Sequence, residues 1–471
     1  MYLKGINIMV FSSAVFLFAF LPVVLILHTV IRNIRVRNLL LIVASLFFYA
    51  WGEPVYILLL LASVCINYFF GRVVWGRKPV LAAAVVINLA ILVVYKYAGF
   101  ITELINLLPF VQLPVPQVRM PIGISFYTFQ ALSYVIDTYR GEKKEHGSFL
   151  DVMLYVCLFP QLVAGPIVKY NSVKEQFKSR KVTSEGLYIG IRKFIIGLSK
   201  KMLIANVMAV AADEMFALPV AQLDMASAWV GAVSYLFQIY FDFSGYSDMA
   251  VGMGLMFGFT FPENFNYPYI AVSVRDFWKR WHISLTSWFR EYLYFPLGGN
   301  RKGRARTMWN RFFVFLCTGI WHGANWTFLV WGIYHGFLTM AETMLEKKDG
   351  GTEGRRSFPG SLIGHIYTLL AVMIGFVIFR ADSMGQAAGF IVQLFAMRST
   401  QLGTMTALSV MSPLFIITAI IAALACTPFL KKLRSCAFTR YGAMAATIIL
   451  YLFCIMEIAA GSYNPFIYFR F

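Results

Sequence analysis

Apolar stretches of about 20 residues recur along the whole of this chain, and they limit what it can fold into. An α-helix rises 1.5 Å per residue, so about 20 residues cross the ~30 Å hydrocarbon core of a bilayer, where every backbone polar group must be bonded internally. Charged residues make up only 13% of the chain, against about 25% in soluble proteins. The stretches lie at 8–31, 38–50, 55–71, 79–99, 118–139, 150–167, 186–217, 226–258, 311–343, 361–381, 410–429 and 441–461. We therefore predict an all-α, polytopic membrane protein.

Basic residues are unevenly distributed among the loops between these stretches. The chain has 41 Lys+Arg against 22 Asp+Glu, a formal net charge of +19. The loops at 32–37 and 72–78 are rich in bases, whereas the turn between them at 52–54 has none. Because bases concentrate in cytoplasmic loops, both basic loops are predicted to be cytoplasmic and both chain termini outside. The expected partner of these bases is the anionic surface of the lipid bilayer, and no nucleic acid is expected.

Stretch 150–167 is not expected to cross the membrane. Bases flank both of its ends, so the two ends share a face, and Pro160 interrupts helical hydrogen bonding. We predict a re-entrant segment sheltered by protein, which leaves about 11 transmembrane helices.

Stretches 226–258 and 311–343 are too long for simple crossings. Each would be ~50 Å long as a single helix, against ~30 Å of hydrocarbon. The first is predicted to be broken at 243–245 or steeply tilted. The second is predicted to be two half-helices that meet near 321–323.

The segment between these two stretches, 261–311, is aromatic, basic and rich in Pro, Asn and Gly. It cannot be a simple spanning helix. One interpretation is an amphipathic anchor at the cytoplasmic headgroup level. The other is that its Arg and Lys side chains bind a phosphate-rich ligand, such as a nucleotide-bearing cofactor. Its nine bases, set among Trp278, Trp281, Trp288 and Tyr292, are Arg275, Lys279, Arg280, Arg290, Arg301, Lys302, Arg304, Arg306 and Arg311.

Two histidines are candidates for chemistry. His322 lies between Trp321 and Gly323 at the predicted helix break, close to Asn325. A desolvated imidazole can take a proton from a hydroxyl, so His322 is a candidate general base; the alternative is a hydrogen-bonded structural histidine. His282, in the aromatic-basic segment, could orient substrate or simply lie at the interface.

Polar residues inside stretch 226–258 form a second candidate group. Asp242, Ser247 and Asp248 lie in or beside its predicted break. A carboxylate in the membrane must be paired, and we expect an Arg or His of the next segment as partner. No metal-ligand spacing is present, and no metal site is predicted.

At these residues the sequence resembles the membrane-bound O-acyltransferase (MBOAT) family, and within it the bacterial polysaccharide O-acetyltransferase branch typified by alginate O-acetylation. The resemblance covers nearly the whole chain, and its most specific parts are RDFWKRWHISLTSWFREYLYFPLGGNR and CTGIWHGANWTFLVWGIYHG. It implies one integral-membrane domain over 1–471, with a core motif region at 226–343. It also implies a ring of helices around a funnel open to the cytoplasm.

The resemblance implies roles for the candidate residues. The essential histidine of the family falls on His322, at the bottom of the funnel, and its second histidine on His282. The phosphates of acetyl-CoA, or of another acyl thioester, are expected near Arg275, Lys279, Arg280 or Arg290. Trp281, Trp321, Asn325, Asp242, Ser247 and Asp248 are the other expected substrate- or donor-binding residues, and Asn325 or a backbone N–H could stabilise the oxyanion.

Three functions remain open at this point. The first is acetyl transfer from acetyl-CoA, a substrate and not a permanent cofactor, to an exported polysaccharide such as alginate or another cell-envelope glycan. The second is D-alanyl transfer from a carrier protein toward teichoic acid, and the third is lipid or glycan transport without covalent chemistry. The first implies a bacterial cytoplasmic-membrane enzyme, an extracytoplasmic esterase-like acetyltransferase as partner, and polysaccharide synthesis and export machinery.

Overall fold

The computed structural model describes residues 9–141, 146–163, 165–345, 358–429, 440–461 and 463–465. The structure is 77% helical, and no strand occurs in these ranges. The predicted all-α class is confirmed. The chain divides into two compact units, Met1–Leu198 with Tyr246–Glu263, and Ser199–Gly245 with Asn264–Phe471. Such units also occur within single domains, so the prediction of one domain stays a prediction.

The first unit holds the N-terminal helices. A π-helical turn, Phe16–Phe20, leads into the first of them. The helices are α1 (Leu21–Val30), α2 (Ile34–Gly52), α3 (Ile57–Val73), α4 (Lys78–Ile105), α5 (Ile124–Arg140), α6 (Phe149–Cys157), α7 (Phe159–Leu162), α8 (Tyr170–Lys178) and α9 (Ser184–Ser199), which ends at the boundary. Asn67 of α3 and Asn88 of α4 exchange side-chain hydrogen bonds of 3.0 and 2.8 Å, a polar contact typical of packed membrane helices.

The second unit holds the remaining helices and a π-helical stretch, Lys200–Ala205. They are α10 (Asn206–Ala217), α11 (Met225–Met256), α12 (Val274–Arg280), α13 (Ile283–Phe289), α14 (Gly303–His322), α15 (Trp326–Leu345), α16 (Phe358–Arg380), α17 (Met384–Phe395), α18 (Gln401–Val410), α19 (Pro413–Ala425) and α20 (Arg440–Ala459). The last part of α11, from Tyr246 on, belongs to the first unit.

Five helices of the described ranges are long and apolar enough to cross a membrane, and α18 with α19 makes a sixth if this bent pair is one span. The five are Ile34–Gly52, Lys78–Ile105, Ser184–Ala217, Ser361–Arg380 and Tyr441–Ala459. The chain is therefore a multi-pass membrane protein. The count of about 11 spans, and the funnel, stay predictions.

The two long stretches, 226–258 and 311–343, differ in whether the predicted helix break is present. α11 is continuous, so the first predicted alternative, a break at 243–245, is wrong, and the second, a steep tilt, stays a prediction. A glycine inside a helix costs only about 1 kcal/mol, and the tightly packed, buried residues Phe243 and Ser244 favour an unbroken helix. The predicted break near 321–323 is present, since α14 ends at His322 and α15 begins at Trp326.

Stretch 410–429 begins at a bend of the chain. α18 and α19 meet at an angle of 74°. Ser412, which precedes Pro413, has an extended backbone (φ −64°, ψ 160°), as the residue before a proline prefers. The chain therefore turns at this proline.

Stretch 150–167 is interrupted, as predicted. α6 has nine residues, too short to cross ~30 Å, and the break lies at Leu158. Pro160 occupies the first turn of α7, where its missing N–H is not needed. The re-entrant path through the bilayer stays a prediction.

Candidate functional site

The hairpin of α14 and α15 carries His322, and two glycines let its helices approach closely. A Cβ on Gly319 would lie 2.5 Å from the carbonyl oxygen of Phe328 and 2.9 Å from Cα of Gly332. A Cβ on Gly332 would lie 2.7 Å from the carbonyl oxygen of Phe315. Any larger residue at either position would push the helices apart, so these glycines set the position of the helix end at His322.

His322 is the last residue of α14, and its ring is enclosed by aromatic side chains. It is 9% exposed. Edge-to-face contacts join it to Trp321 of α14 (ring centroids 5.0 Å apart), Trp331 of α15 (5.2 Å) and Phe379 of α16 (5.0 Å). Aromatic side chains of three helices therefore fix the orientation of the His322 imidazole.

Asn325 lies in the turn that follows His322. Its Oδ1 accepts a hydrogen bond from the backbone N–H of Thr327 (3.1 Å), and its Nδ2 donates to the carbonyl oxygen of Asp382 (3.3 Å). The side chain therefore starts α15 and ties this turn to the end of α16. Its role toward an oxyanion stays a prediction.

His282 lies in a tight turn between α12 and α13. It is 2% exposed and has a left-handed backbone (φ 45°), which non-glycine residues rarely adopt. Nδ1 lies 3.1 Å from Oδ1 of Asn264, and the ring packs edge-to-face on Phe243 at 4.6 Å. Its position is outside the candidate membrane spans. Burial lowers the pKa of His282 to about 3, so the ring is neutral at physiological pH.

The two histidines border one aromatic core of the second unit. Trp281, next to His282, packs on Phe376 of α16 at 5.1 Å. Phe379, one turn further along α16, contacts His322. Trp281, Phe376 and Phe379 belong to the same cluster of buried residues. Trp281 and His322 thus both pack against aromatic residues of α16, and His282 and Trp321 are their neighbours along the chain.

The basic segment is anchored to α15 by a carboxylate. Glu342 accepts hydrogen bonds from the backbone N–H groups of Val274 (2.7 Å) and Arg275 (3.0 Å). A carboxylate at a helix N-terminus is favourable because it meets unsatisfied N–H groups and the positive end of the helix dipole. Glu342 therefore holds α12 against the helix that follows His322.

The four predicted phosphate-binding bases differ in their surroundings. Nε of Arg280 lies 3.0 and 3.1 Å from the two carboxylate oxygens of Asp276. Lys279 and Arg290 are exposed, and Arg275 is half-buried. Lys279 and Arg290 are thus the more accessible cations of this segment, and phosphate binding by the four stays a prediction.

Asp242 is paired in the structure, but with a lysine and not with an Arg or His of the following segment. Nζ of Lys201 lies 2.8 Å from Oδ1 of Asp242, and the two side chains are 1% and 2% exposed. Lys201 also donates to the carbonyl oxygen of Pro465. The expectation of a paired carboxylate is confirmed, and the expected partner is corrected to a residue of the preceding π-helical stretch.

Ser247 and Asp248 belong to the first unit, whereas His322 belongs to the second. Ser247 is buried. Asp248 forms an ion pair with Lys193 (3.5 Å), which also pairs with Glu263 (3.3 Å). This arrangement is typical of a structural charge cluster, and the donor-binding role of both residues stays a prediction.

Sequence reasoning missed four residues around the site. Lys201 could have been suspected as an isolated cation in an apolar stretch. Trp331, Phe379 and Asn264 give no local signal, because their importance comes only from their contacts with the two histidines.

Residues 91–347 match the model of MBOAT, the membrane-bound O-acyltransferase family. A probable alginate O-acetylase of Pseudomonas putida is 39% identical over 98% of this chain and 100% of its own length. A peptidoglycan O-acetyltransferase of Helicobacter pylori is 36% identical over 81% of this chain and 78% of its own length. A teichoic acid D-alanyltransferase of Bacillus subtilis is 31% identical over 48% of this chain and 60% of its own length.

Proposed function

This chain belongs to the membrane-bound O-acyltransferase (MBOAT) family and is an O-acyltransferase, and we propose that it passes an acetyl group from cytoplasmic acetyl-CoA across the membrane to an exported polysaccharide. The acceptor glycan is alginate or another polymer of the cell envelope. The observation that carries the proposal is His322, a single imidazole oriented by three aromatic rings at the break between α14 and α15.

The chemistry proposed for His322 is general-base catalysis. Its ring removes the proton of an acceptor hydroxyl while the hydroxyl oxygen attacks the thioester carbonyl. A C–O bond forms, the C–S bond breaks, and the proton held by the imidazole passes to the departing thiolate. The apolar rings around His322 exclude water, which would otherwise compete with the acceptor for the acyl group.

An acetyl donor is favoured by the extent of the similarities. The two O-acetyl-transferring relatives align with 98% and 81% of this chain, and the D-alanyltransferase with 48%. The D-alanyltransferase similarity nevertheless supports D-alanyl transfer from a carrier protein as the second candidate. A transporter without covalent chemistry is disfavoured because the family transfers acyl groups.

The proposal includes partners and a place in the cell. The chain is placed in the bacterial cytoplasmic membrane with both termini outside, since its basic loops suit the inner face. An extracytoplasmic esterase-like acetyltransferase delivers the acetyl group to the glycan made and exported by the polysaccharide machinery. Acetyl-CoA is consumed as a substrate, with its phosphates on the exposed side chains of Lys279 and Arg290.

The test measures donor turnover by the purified full chain in lipid nanodiscs. Labelled acetyl-CoA is supplied to the wild type and to His322→Ala, and free CoA thiol and transferred label are followed. We expect His322→Ala to lose about 100-fold or more of the turnover, as loss of a general base does. His146→Ala is the matched control, because the hydrogen bond that its ring makes within the described residues joins it to the neighbouring backbone carbonyl of Gly147.

Two outcomes would overturn the assignment. Turnover by His322→Ala equal to that of the wild type removes His322 as the base. Turnover by the wild type of a D-alanyl carrier protein, with none of acetyl-CoA, replaces the acetyl proposal by the second candidate.

A further inference from the structure

One side-chain oxygen of Asn264, Oδ1, contacts both Ser284 and His282. Its Oδ1 accepts from the backbone N–H of Ser284 (3.1 Å) and from the Ser284 hydroxyl (2.8 Å). The same oxygen lies 3.1 Å from Nδ1 of His282. All three residues are buried, so these contacts form in a water-poor environment where hydrogen bonds are strong and unmade ones costly.

The backbone N–H of Ser284 determines the orientation of the Asn264 amide. A backbone N–H can only donate, so the side-chain atom facing it must be the oxygen and not the NH₂ group. If the amide were flipped, its NH₂ group would face the backbone N–H of Ser284, and neither group could accept a hydrogen bond. The oxygen that faces Nδ1 of His282 is thus an acceptor, and Nδ1 must carry a proton.

The remaining ring nitrogen of His282 then carries a lone pair. A neutral imidazole has one N–H, and burial keeps this ring neutral. Nε2 has no hydrogen-bond partner in the described part of the chain. A buried acceptor without a partner is costly in a native protein and calls for an explanation, such as a ligand.

The backbone conformation of His282 also indicates a functional role for this residue. Its left-handed conformation is held between the end of α12 and the start of α13, and Ile283 donates its N–H to the carbonyl oxygen of Asn264 (2.9 Å). Strained backbone that is fixed by several neighbours is often found at functional sites. Phe243 packs against the ring and limits its rotation.

We propose that Asn264 is a positioning residue that holds His282 in the Nδ1-protonated tautomer, so that Nε2 is presented to an N–H or O–H group of the acyl donor or acceptor. The role depends on the proposed function, in which His322 is the base. An amide suits the task, because it accepts the Nδ1 proton without adding a second buried charge beside the ring.

The first test reads the tautomer directly, without activity. The full chain is labelled with ¹⁵N-histidine and studied in lipid bilayers by solid-state NMR. The signals of His282 are those that vanish in His282→Asn, since asparagine tolerates the left-handed backbone. We expect a protonated Nδ1 and an unprotonated Nε2 in the wild type. A protonated Nε2 would overturn the proposal.

The second test compares three variants. Asn264→Leu removes the acceptor, and we expect a mixture of tautomers and a kcat lowered about 10- to 100-fold, as when a partner that orients a histidine ligand is lost. Asn264→Asp keeps an acceptor and is expected to restore the wild-type tautomer. Ser284→Ala is the matched control, because it removes one donor to the same oxygen but leaves the His282 contact; we expect an unchanged tautomer and kcat.

The outcomes separate this inference from the proposed function. If Asn264→Leu folds, keeps the wild-type tautomer and keeps its kcat while His322→Ala is inactive, Asn264 has no positioning role and the proposed function stands. If His322→Ala remains active, the proposed function fails whatever the tautomer of His282. If Asn264→Leu fails to fold, the comparison of Asn264→Asp with the wild type decides, since a ring protonated at Nε2 and not at Nδ1 in the aspartate variant contradicts the proposal.

Discussion

The buried ion pair of Lys201 and Asp242 allows a quantitative prediction. At 2.8 Å, Coulomb's law with an effective dielectric constant of about 20 gives an attraction of about 6 kcal/mol. Removing two charges from water costs several kcal/mol per ion, so the intact pair adds little to stability compared with apolar residues of similar size. Breaking the pair leaves one charge buried and uncompensated.

We predict that Asp242→Asn lowers the free energy of unfolding by about 3–5 kcal/mol, because it leaves Lys201 in an apolar site without its partner carboxylate. The carbonyl oxygen of Pro465 still accepts from Lys201 but carries no charge to balance it. The double variant Lys201→Met with Asp242→Leu removes both charges, and we expect it to be nearly as stable as the wild type.

The assay is a double-mutant cycle on the full chain. Unfolding free energies of the wild type, Asp242→Asn, Lys201→Met and the double variant Lys201→Met with Asp242→Asn are measured by SDS titration in mixed micelles. We expect the sum of the two single losses to exceed the loss in the double variant by several kcal/mol, because only the single variants leave an unpaired buried charge. Strictly additive losses would refute the reasoning, as would a loss below about 1 kcal/mol for Asp242→Asn.

Two further predictions concern the hairpin that carries His322. Gly319→Val brings side-chain atoms against the carbonyl oxygen of Phe328. We expect the free energy of unfolding to fall by about 1–3 kcal/mol and the turnover of acetyl-CoA to decrease. Thermal unfolding and the acetyl-CoA assay measure the two effects. Trp331→Leu removes one of the aromatic rings that contact His322. We expect kcat, measured by steady-state kinetics, to fall about tenfold or more, with KM little changed.

Each of these variants has a matched control in the chain. Gly385→Ala adds a Cβ whose nearest neighbour is the Ser383 hydroxyl at 3.9 Å, so it tests glycine substitution without a clash. Trp309→Leu changes an exposed tryptophan of α14. Equal effects in the controls and in Gly319→Val or Trp331→Leu would contradict the proposed packing around His322.

Local sequence signals predicted the break at His322 but misplaced one in α11. Gly323 has extended backbone and Asn325 bonds to the first turn of the next helix, so the residues themselves end one helix and start another. Ser244 and Gly245 lower helix propensity only slightly, and tertiary packing outweighs that preference. A weak local signal therefore predicts poorly once a segment is buried.

Pairings between distant residues were the least predictable part. Asp242 had to be paired, because a lone carboxylate in a membrane is costly. Its partner, Lys201, lies 41 positions earlier, in a π-helical stretch that no sequence pattern predicted. The contact of Asn264 with His282 joins residues 18 positions apart, and His282 itself has a left-handed backbone. The sequence did not predict this contact either.

The amino-acid sequence alone determined the helical, membrane-embedded character of this chain, because the need to bond every backbone group inside hydrocarbon leaves long apolar stretches few alternatives. It also determined the family and the two histidines, which lie in its most specific motifs. Only the tertiary structure decided which groups surround those histidines and which nitrogen of His282 carries the proton. Such features depend on side chains from separate segments of the chain that are brought to within 3.1–5.2 Å of each other, and the order of residues along the chain does not encode those distances locally.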